Sequence, residues 1–339
     1  MDKKFIERIF KYALETEAAT LSLENSHRDI SIRYLLPDGE SRVLKLPRKL
    51  EQDWGESLRR LLNLPSGELV NKKYCKLENA GKRLDFLLTI TPSTNGERVI
   101  IKLVPKNRRP LRLNQLGLER CPLKTIRKVL SKRSGLILVT SPDNQGRSTT
   151  LSALAKEIDR PEISAYLIGP AAEYEFANIV NLADNDNNWQ KVLRLDSEVI
   201  ISEINSPKNL QNAIQAAATG RLVIGALKAD SVWQALENTL KSPLATRLKN
   251  QALALIINQR LGVLKRSDQK SKSPRKSPRQ IIGLFEILEL SSNLRGFIET
   301  SQKSKNKESF WTDLTTLARQ EGYFSLKEDY RRKKKAGLI

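Results

Sequence analysis

The sequence predicts an α/β protein in which a domain with a parallel central sheet follows a smaller α+β domain. Hairpin-like strand pairs fill the first part of the chain, and apolar strands alternate with helical segments in the rest. The length of 339 residues also favours two domains, because one core rarely grows beyond about 250–300 residues. We expect an N-terminal domain over residues 1–105, a linker over 106–115 and the larger domain over 116–339.

The first domain is predicted from apolar spacing and turn signals. Phe5, Ile6 and Ile9 begin a helical pattern, and Pro37-Asp38-Gly39 is typical of a turn between paired strands. The predicted order is helix 5–14, strands 19–23, 30–35 and 43–46, helix 51–62, and strands 84–90 and 98–104. Helices and antiparallel strands in this order indicate a small α+β domain.

The second domain has a different order of elements, in which helices separate the strands. Residues 135–139 read Gly-Leu-Ile-Leu-Val, as expected of a strand that is buried on both faces. The predicted order is helix 123–130, strand 135–139, helix 148–158, strands 163–168 and 199–201, helix 207–218 and strand 222–227. Such alternation predicts a parallel sheet that helices cover on both sides.

The chain is strongly basic, with 59 Lys+Arg against 38 Asp+Glu and a net charge of +21. This excess predicts attraction to nucleic acid, to an anionic membrane surface or to an acidic protein, and charge alone does not choose among them. Residues 266–279 (RSDQKSKSPRKSPR) are predicted to form a mobile basic loop that could bind an anionic partner. Residues 330–335 (YRRKKK) form a second basic run.

Cysteine and histidine usage argues against metal and disulfide chemistry. Cys75 and Cys121 lack CxxC spacing and His27 is the one histidine, so we expect neither a zinc site nor a disulfide framework. No apolar segment follows the basic residues at the start, and the apolar runs are too short to span a bilayer. The sequence therefore predicts a cytoplasmic protein, with contact to the inner membrane only at its surface.

The loop after the strand 135–139 carries the main chemical signal. A phosphate-binding P-loop has Gly, four residues and then Gly-Lys-Ser/Thr, and here Ser141 is followed at that spacing by Gly146, Arg147 and Ser148. We predict nucleotide binding by Gly146, Arg147, Ser148 and Thr149, with Ser148 as a candidate Mg²⁺ ligand. Arginine keeps the charge of the usual lysine but has a broader head group. Taken alone, the loop fits a polar turn before a Ser-capped helix equally well.

Residues 135–154 (GLILVTSPDNQGRSTTLSAL) resemble the P-loop region of the secretion-traffic ATPases, the hexameric motors of type II secretion and type IV pilus assembly. Further blocks that resemble this family follow in order: 84–103, 193–203 (its Walker B region), 213–230 (its "His box"), 258–262, 283–290 and 314–336. The resemblance implies a RecA-like P-loop domain with C-terminal helices over residues 314–336, behind a PAS-like N-terminal domain, with ATP and Mg²⁺ as cofactors. It implies as partners the pilus or secretion platform proteins, or a paralogous motor subunit.

Several positions depart from the family's catalytic pattern. The family's acidic box reads E-D-P-x-E, whereas the matching stretch here reads Ile-Gly-Pro-Ala-Ala-Glu and keeps Glu173. The Walker B glutamate corresponds to Glu203. The two histidines of the His box correspond to Arg221 and Lys228, and Lys102 stands where an arginine usually faces the phosphates from the N-terminal domain.

Three functions stay open from the sequence. The first is a degenerate motor subunit that binds nucleotide or has a structural role, because loss of one well-placed group typically costs about 10²–10³ in rate. The second is a slow ATPase that uses Glu203 and Glu173. The third is a DNA- or membrane-surface-binding protein that reuses the fold. The third would need basic residues on one folded face, whereas the sequence places many of them in a loop and a tail.

Overall fold

The computed structural model describes residues 3–25, 29–36, 40–47, 54–79, 82–94, 96–104, 109–169, 174, 176–182, 186–242, 252–264, 281–301 and 307–339. The chain divides into two compact units: Met1–Arg108 makes up most of the first, and Arg109–Lys270 with Gln280–Ile339 the second. Glu173, the predicted turn at 37–39 and the predicted mobile loop at 266–279 lie outside the described residues.

The first unit contains a six-stranded antiparallel sheet. Its elements are α1 (Lys3–Glu15), β1 (Thr20–Asn25), β2 (Asp29–Leu35), β3 (Ser41–Pro47), α2 (Trp54–Leu61), β4 (Val70–Asn79), β5 (Lys82–Ser93) and β6 (Gly96–Val104). The strand order is β3-β2-β1-β6-β5-β4. Alternate apolar residues such as Leu21, Ile32 and Phe86 lie on one face and pack against Phe10 of α1. The sequence does not predict β4.

A buried ion pair joins α2 to β6 in this unit. Arg59 is almost fully buried, and its Nη2 atom lies 2.9 Å from Oε1 of Glu97. Its Nη1 atom donates to the carbonyl oxygen of Pro65 at 3.0 Å. Gly55 lies against the Glu97 carboxylate, so that a side chain at residue 55 would collide with it. The glycine therefore makes room for the buried pair.

The second unit contains a seven-stranded sheet. Its elements are a 3-10 turn (Leu113–Gln115), α3 (Arg120–Ser131), β7 (Gly135–Ser141), α4 (Arg147–Glu157), β8 (Ala165–Ile168), β9 (Ile179–Leu182), α5 (Asp186–Arg194), β10 (Val199–Ile204), α6 (Pro207–Ala218), β11 (Leu222–Lys228), α7 (Val232–Leu240), β12 (Leu253–Val263), β13 (Ile281–Glu289), α8 (Ser292–Ser301), α9 (Lys307–Gln320) and α10 (Leu326–Lys335). The strand order is β13-β12-β7-β11-β10-β8-β9. Neighbouring strands are parallel except β12 and β13, which confirms the predicted parallel sheet.

The central strand β7 explains why its sequence is apolar throughout. Ile137 and Val139 face a core that includes residues of α3 and α4. Leu136 and Leu138 face a second core, which includes residues of α5 to α9. Because side chains alternate along a strand, a sheet that is covered on both faces needs apolar residues at every position.

The register of the parallel strands brings their carboxyl ends to one edge of the sheet. Lys228 at the end of β11 pairs with Ser141 at the end of β7, and Asn258 of β12 pairs with Thr140. Glu203 of β10 pairs with Ala226, two residues before Lys228. Ligand sites of open parallel sheets form outside this edge, so the loop that follows β7 is placed where a ligand would bind.

The last part of the chain covers the outer edge of β13. Ile287 and Phe324 exchange two backbone hydrogen bonds, of 2.8 and 3.1 Å. From α10, Asp329 accepts a hydrogen bond from the Phe285 N–H at 2.7 Å, and Lys333 donates to the Gly283 carbonyl at 2.7 Å. Asp329 and Lys333 are both buried and lie 2.5 Å apart. The basic run at 330–335 is therefore part of a packed helix.

Candidate functional site

The loop between β7 and α4 leaves the start of α4 open. Gly146 is the N-cap of α4 and has no side chain to bond the first N–H groups of the helix. In contrast, Ser206, Ser231 and Ser325 cap α6, α7 and α10 with their hydroxyl oxygens. Uncapped N–H groups at a helix N-terminus carry partial positive charge and attract anions such as phosphate.

Two residues of this loop have left-handed backbone conformations. Gly146 has φ +79°, and a Cβ atom there would lie 3.0 Å from Nε2 of Gln259 and 3.3 Å from Cδ2 of Leu261. Asn144 has φ +59°. Asparagine adopts this region more readily than most residues, which explains how it stands where many P-loops have a second glycine.

The predicted nucleotide-binding side chains gather at the start of α4. Nη1 of Arg147 donates to the carbonyl oxygen of Ser141 at 2.8 Å, so the guanidinium spans the loop from one end to the other. Ser148 is exposed and Thr149 is half-buried in the first turn of the helix. The loop therefore combines open N–H groups, a cation and an accessible hydroxyl.

Two glutamines hold the loop against β12. The Leu261 N–H donates to Oε1 of Gln145 at 2.8 Å, and Nε2 of the buried Gln259 donates to the Gln145 carbonyl. Sequence reasoning missed both glutamines, since nothing in a lone Gln distinguishes a loop contact from a solvent-exposed side chain. We call Gln145, Gln259 and Leu261 the loop clasp.

Glu203 lies on the same side of the sheet as α4. Val199 and Ile201 of β10 belong to the core that contains α4, and Glu203 follows them at the same alternation. The residue is half-buried, and a Cβ atom added to Gly169 would lie 3.9 Å from the Cβ atom of Glu203. Two strand spacings separate β10 from β7, which places the Glu203 backbone about 10 Å from that of β7.

Of the three other predicted site residues, Lys228 lies at the loop, whereas Arg221 and Lys102 lie elsewhere. Nζ of Lys228 lies 2.5 Å from Oδ2 of the loop residue Asp143. Arg221 precedes β11 and so lies at the opposite end of that strand, where it donates to the backbone carbonyls of Ser197, Leu193 and Leu195. Lys102 lies exposed on β6 of the first unit.

A buried polar network, which the sequence does not predict, lies at the same edge on the other face of the sheet. Thr140 donates to Asn258 at 3.2 Å, and Asn258 donates to Glu286 at 3.0 Å. Glu286 also accepts from the Val232 N–H at 3.1 Å and from the Tyr323 hydroxyl. Burial, followed by the Glu286 charge, raises the pKa of Tyr323, so the phenol stays a hydrogen-bond donor. The network ties β7, β12 and β13 to α7.

The residues around the loop fit a phosphate ligand with its Mg²⁺. In the described part of the chain no three His, Cys, Asp or Glu side chains are grouped so as to hold a metal ion alone. Mg²⁺ typically takes one or two protein ligands and completes its shell with water and phosphate oxygens. The Ser148 hydroxyl and the Glu203 carboxylate, both on the α4 side of the sheet, are the candidates for that role.

The model of the family described as type II/IV secretion system protein matches residues 2–331. The chain belongs to this family. The match confirms the resemblance that the ordered sequence blocks indicated. In the described ranges, no helix of this secretion-family chain is long and apolar enough to cross a lipid bilayer.

Two curated relatives match this secretion-family chain over about half of their own length. It is 26% identical over 268 residues to the type II secretion system protein E of Aeromonas hydrophila, covering 76% of this chain and 54% of the relative. It is 25% identical over 269 residues to the type IV pilus assembly ATPase PilB of Myxococcus xanthus, covering 76% of this chain and 48% of the relative. The chain thus spans about half the length of these relatives.

Two solved structures share the fold of this secretion-family chain. The Legionella pneumophila ATPase DotB superposes with a TM-score of 0.73 at 16% identity, covering 100% of this chain and 93% of DotB. The pilus retraction motor PilT, solved with bound ADP, superposes with a TM-score of 0.68 at 18% identity, covering 98% of this chain and 94% of PilT. At these identities the likeness is one of fold.

Proposed function

We propose that this chain is a nucleotide-binding subunit of a type II secretion or type IV pilus machine and that it hydrolyses ATP weakly or not at all. The observation that carries the proposal is the hydrogen bond from Arg147 to the Ser141 carbonyl across an otherwise open phosphate-binding loop. The family match and the names of the relatives support the machine, and the uncapped start of α4 supports the ligand.

The charges at the loop favour binding over catalysis. Phosphoryl transfer needs cations that face the charge developing on the transferred group. Arg147 is engaged with Ser141, and its planar head group does not replace a lysine ammonium. Lys228 is paired with Asp143, although this exposed pair contributes only about 0–1 kcal/mol and yields to a stronger anion. Both cations can attract phosphate, but both are bonded to groups of the loop and neither is positioned to stabilise the transition state of phosphoryl transfer.

Each residue of the loop has a definite part in binding. The N–H groups at the start of α4, around Gly146 and Ser148, receive phosphate oxygens, and Thr149 supports them from the same turn. Ser148 and Glu203 are the protein groups for Mg²⁺, which supplies charge neutralisation to the phosphates when it is bound. Lys102, exposed on β6 of the first unit, stands where the resemblance implies a phosphate-facing arginine.

The second candidate function is a slow ATPase. The position of Glu203 favours it, because its carboxylate lies on the α4 side of the sheet. Glu173 is the proposed second acidic residue for ATP hydrolysis. In either case, the platform proteins or a paralogous subunit of the machine are the proposed partners, and the first unit is the proposed PAS-like domain.

The test is titration of the purified chain with a fluorescent ATP analogue, with phosphate release measured in parallel. We expect saturable, Mg²⁺-dependent binding with phosphate release at background. Ser148→Ala should remove the Mg²⁺ dependence, while Arg147→Lys should tighten binding because the Ser141 contact is released. Steady turnover that disappears in Glu203→Gln would contradict the proposal and establish the slow ATPase.

Loss of one hydrogen bond of the loop clasp is expected to reduce nucleotide affinity modestly. Gln145→Ala removes the acceptor for the Leu261 N–H, so the loop loses one hydrogen bond of about 1 kcal/mol and part of its order. We expect nucleotide affinity to fall about fivefold to tenfold, measured with the same analogue. Gln190→Ala on the exposed side of α5 is the matched control and should leave affinity unchanged. Equal affinity for the two variants would show that the clasp does not position the loop.

A further inference from the structure

The N-terminal end of α3 meets α10, and both helices carry many exposed basic residues. Nη1 of Arg332 in α10 lies 2.9 Å from Oε2 of Glu119, the N-cap residue of α3. Ile126 of α3 and Phe285 of β13 belong to the same hydrophobic core. Lys333 of α10 lies over the ring of Phe285. We define the α3–α10 face as the exposed outer sides of these two helices.

The α3–α10 face is crowded with cations. Its exposed basic residues are Arg120, Lys124, Arg127, Lys128 and Lys132 from α3 and its C-cap, and Lys327, Arg331, Arg332, Lys334 and Lys335 from α10. In the described ranges, the carboxylates that pair with this face are Glu119 and Glu328 with Arg332, Glu157 of α4 with Arg127, and Glu289 of β13 with Lys128. Within the described ranges, Lys124 and Arg331 form no ion pair. The surplus of positive charge therefore faces solvent.

We propose that the α3–α10 face binds the phosphodiester backbone of nucleic acid. Arginine and lysine side chains on adjacent helices are the usual donors to phosphate oxygens, and interfaces with nucleic acid are much more positive than interfaces with protein. Contacts of these cations with phosphate oxygens make the binding sensitive to salt.

The composition of the face argues against the other polyanionic partners. A helix that lies on a membrane presents large apolar side chains, whereas Tyr330 is the one exposed large apolar residue on α3 and α10. The core of a protein interface is poor in lysine and rich in aromatic residues, which is the reverse of this face. The basic run at 330–335 belongs to a packed helix, one of the C-terminal helices that the resemblance implied. Basic residues therefore do lie on a folded surface.

This face shares no residue with the loop between β7 and α4, although Lys333 of α10 bonds Gly283, the cross-strand partner of the clasp residue Leu261. The cations that serve nucleotide in the proposed function, Arg147 and Lys228, are not part of it. Nucleic-acid binding can therefore be tested without changing any residue of the nucleotide site.

The experiment is an anisotropy titration of the full chain with a fluorescein-labelled duplex DNA of about 20 base pairs, between about 50 and 200 mM salt. The test variant is Lys124→Gln/Arg331→Gln, with one change in each helix. The matched control is Lys191→Gln/Arg194→Gln in α5, on the other face of the sheet, with the same loss of charge. Residues 266–279 are unchanged in both variants, so their contribution cancels.

We expect the wild-type chain to bind the duplex with an affinity that falls steeply with salt. The test variant should bind about tenfold more weakly, and the slope of log affinity against log salt should decrease in magnitude by about two. The control should stay within about twofold of wild type. Absence of duplex binding at low salt, or equal losses in the two variants, would overturn the proposal. Loss of binding in the test variant to phosphatidylserine vesicles or poly-glutamate, but not to DNA, would also overturn it.

Discussion

Gly146→Ala is expected to reduce nucleotide affinity about a hundredfold. A left-handed backbone costs an alanine about 1–2 kcal/mol, and the new Cβ atom would press on the Gln259 amide at 3.0 Å. Gln259 also holds the Gln145 carbonyl, so the substitution displaces the loop clasp and the start of α4 together. Titration with the fluorescent ATP analogue measures the affinity, and urea unfolding measures the stability.

Gly220→Ala is the control for this substitution. Gly220 has φ +93° and open space around its Cα atom, and it lies before β11, at the far end of that strand from the loop. It should lose about the same stability through backbone strain while keeping full nucleotide affinity. If the two variants lost affinity equally, strain rather than the shape of the loop would be responsible.

Asp329→Ala is expected to destabilise the second unit by about 3–5 kcal/mol, because it leaves the Lys333 ammonium buried without its partner. The Phe285 N–H loses its acceptor as well. Burial raises the pKa of Asp329, and the hydrogen bonds from Lys333 and Phe285 act against that rise. Urea unfolding followed by the fluorescence of Trp189, which is fully buried in this unit, measures the change.

Removal of both charges distinguishes the buried pair from ordinary packing. Asp329→Leu/Lys333→Met replaces the pair with apolar side chains of similar size, which is often neutral or stabilising. Lys241→Ala breaks an exposed pair with Glu237 at the same i, i+4 spacing and should cost less than about 1 kcal/mol. A loss in Asp329→Ala as small as that in Lys241→Ala would contradict the assignment of a buried, uncompensated charge.

The order of strand, loop and helix at residues 135–157 was predictable because its signals are local. The strand 135–139 is apolar at every position, and the polar loop and the helix follow it directly. The parallel sheet was predictable for the same reason, since each strand is short, apolar and followed by a helix. By contrast, β4 (VNKKYCKLEN) is rich in lysine, and a pattern of buried and exposed residues does not identify it as a strand.

Long-range contacts account for what the sequence did not indicate. Lysine is rarely buried, so nothing in the run 330–335 shows that Lys333 faces the core. A local signal for α10 did exist, since Ser325 and Glu328 have the spacing of an N-terminal capping box. The pairing of Gln145 with β12 joins residues that are more than a hundred positions apart, and spacing rules do not reach that far.

Both edges of the seven-stranded sheet are closed to strand addition. On β13, the outward-facing backbone groups of Gly283, Phe285 and Ile287 are bonded by Lys333, Asp329 and Phe324. At the other edge, β9 is only four residues long. Short or covered edge strands keep a sheet from pairing with another chain. A contact that another chain makes at the β13 edge would therefore rest on side chains rather than on a continuous sheet.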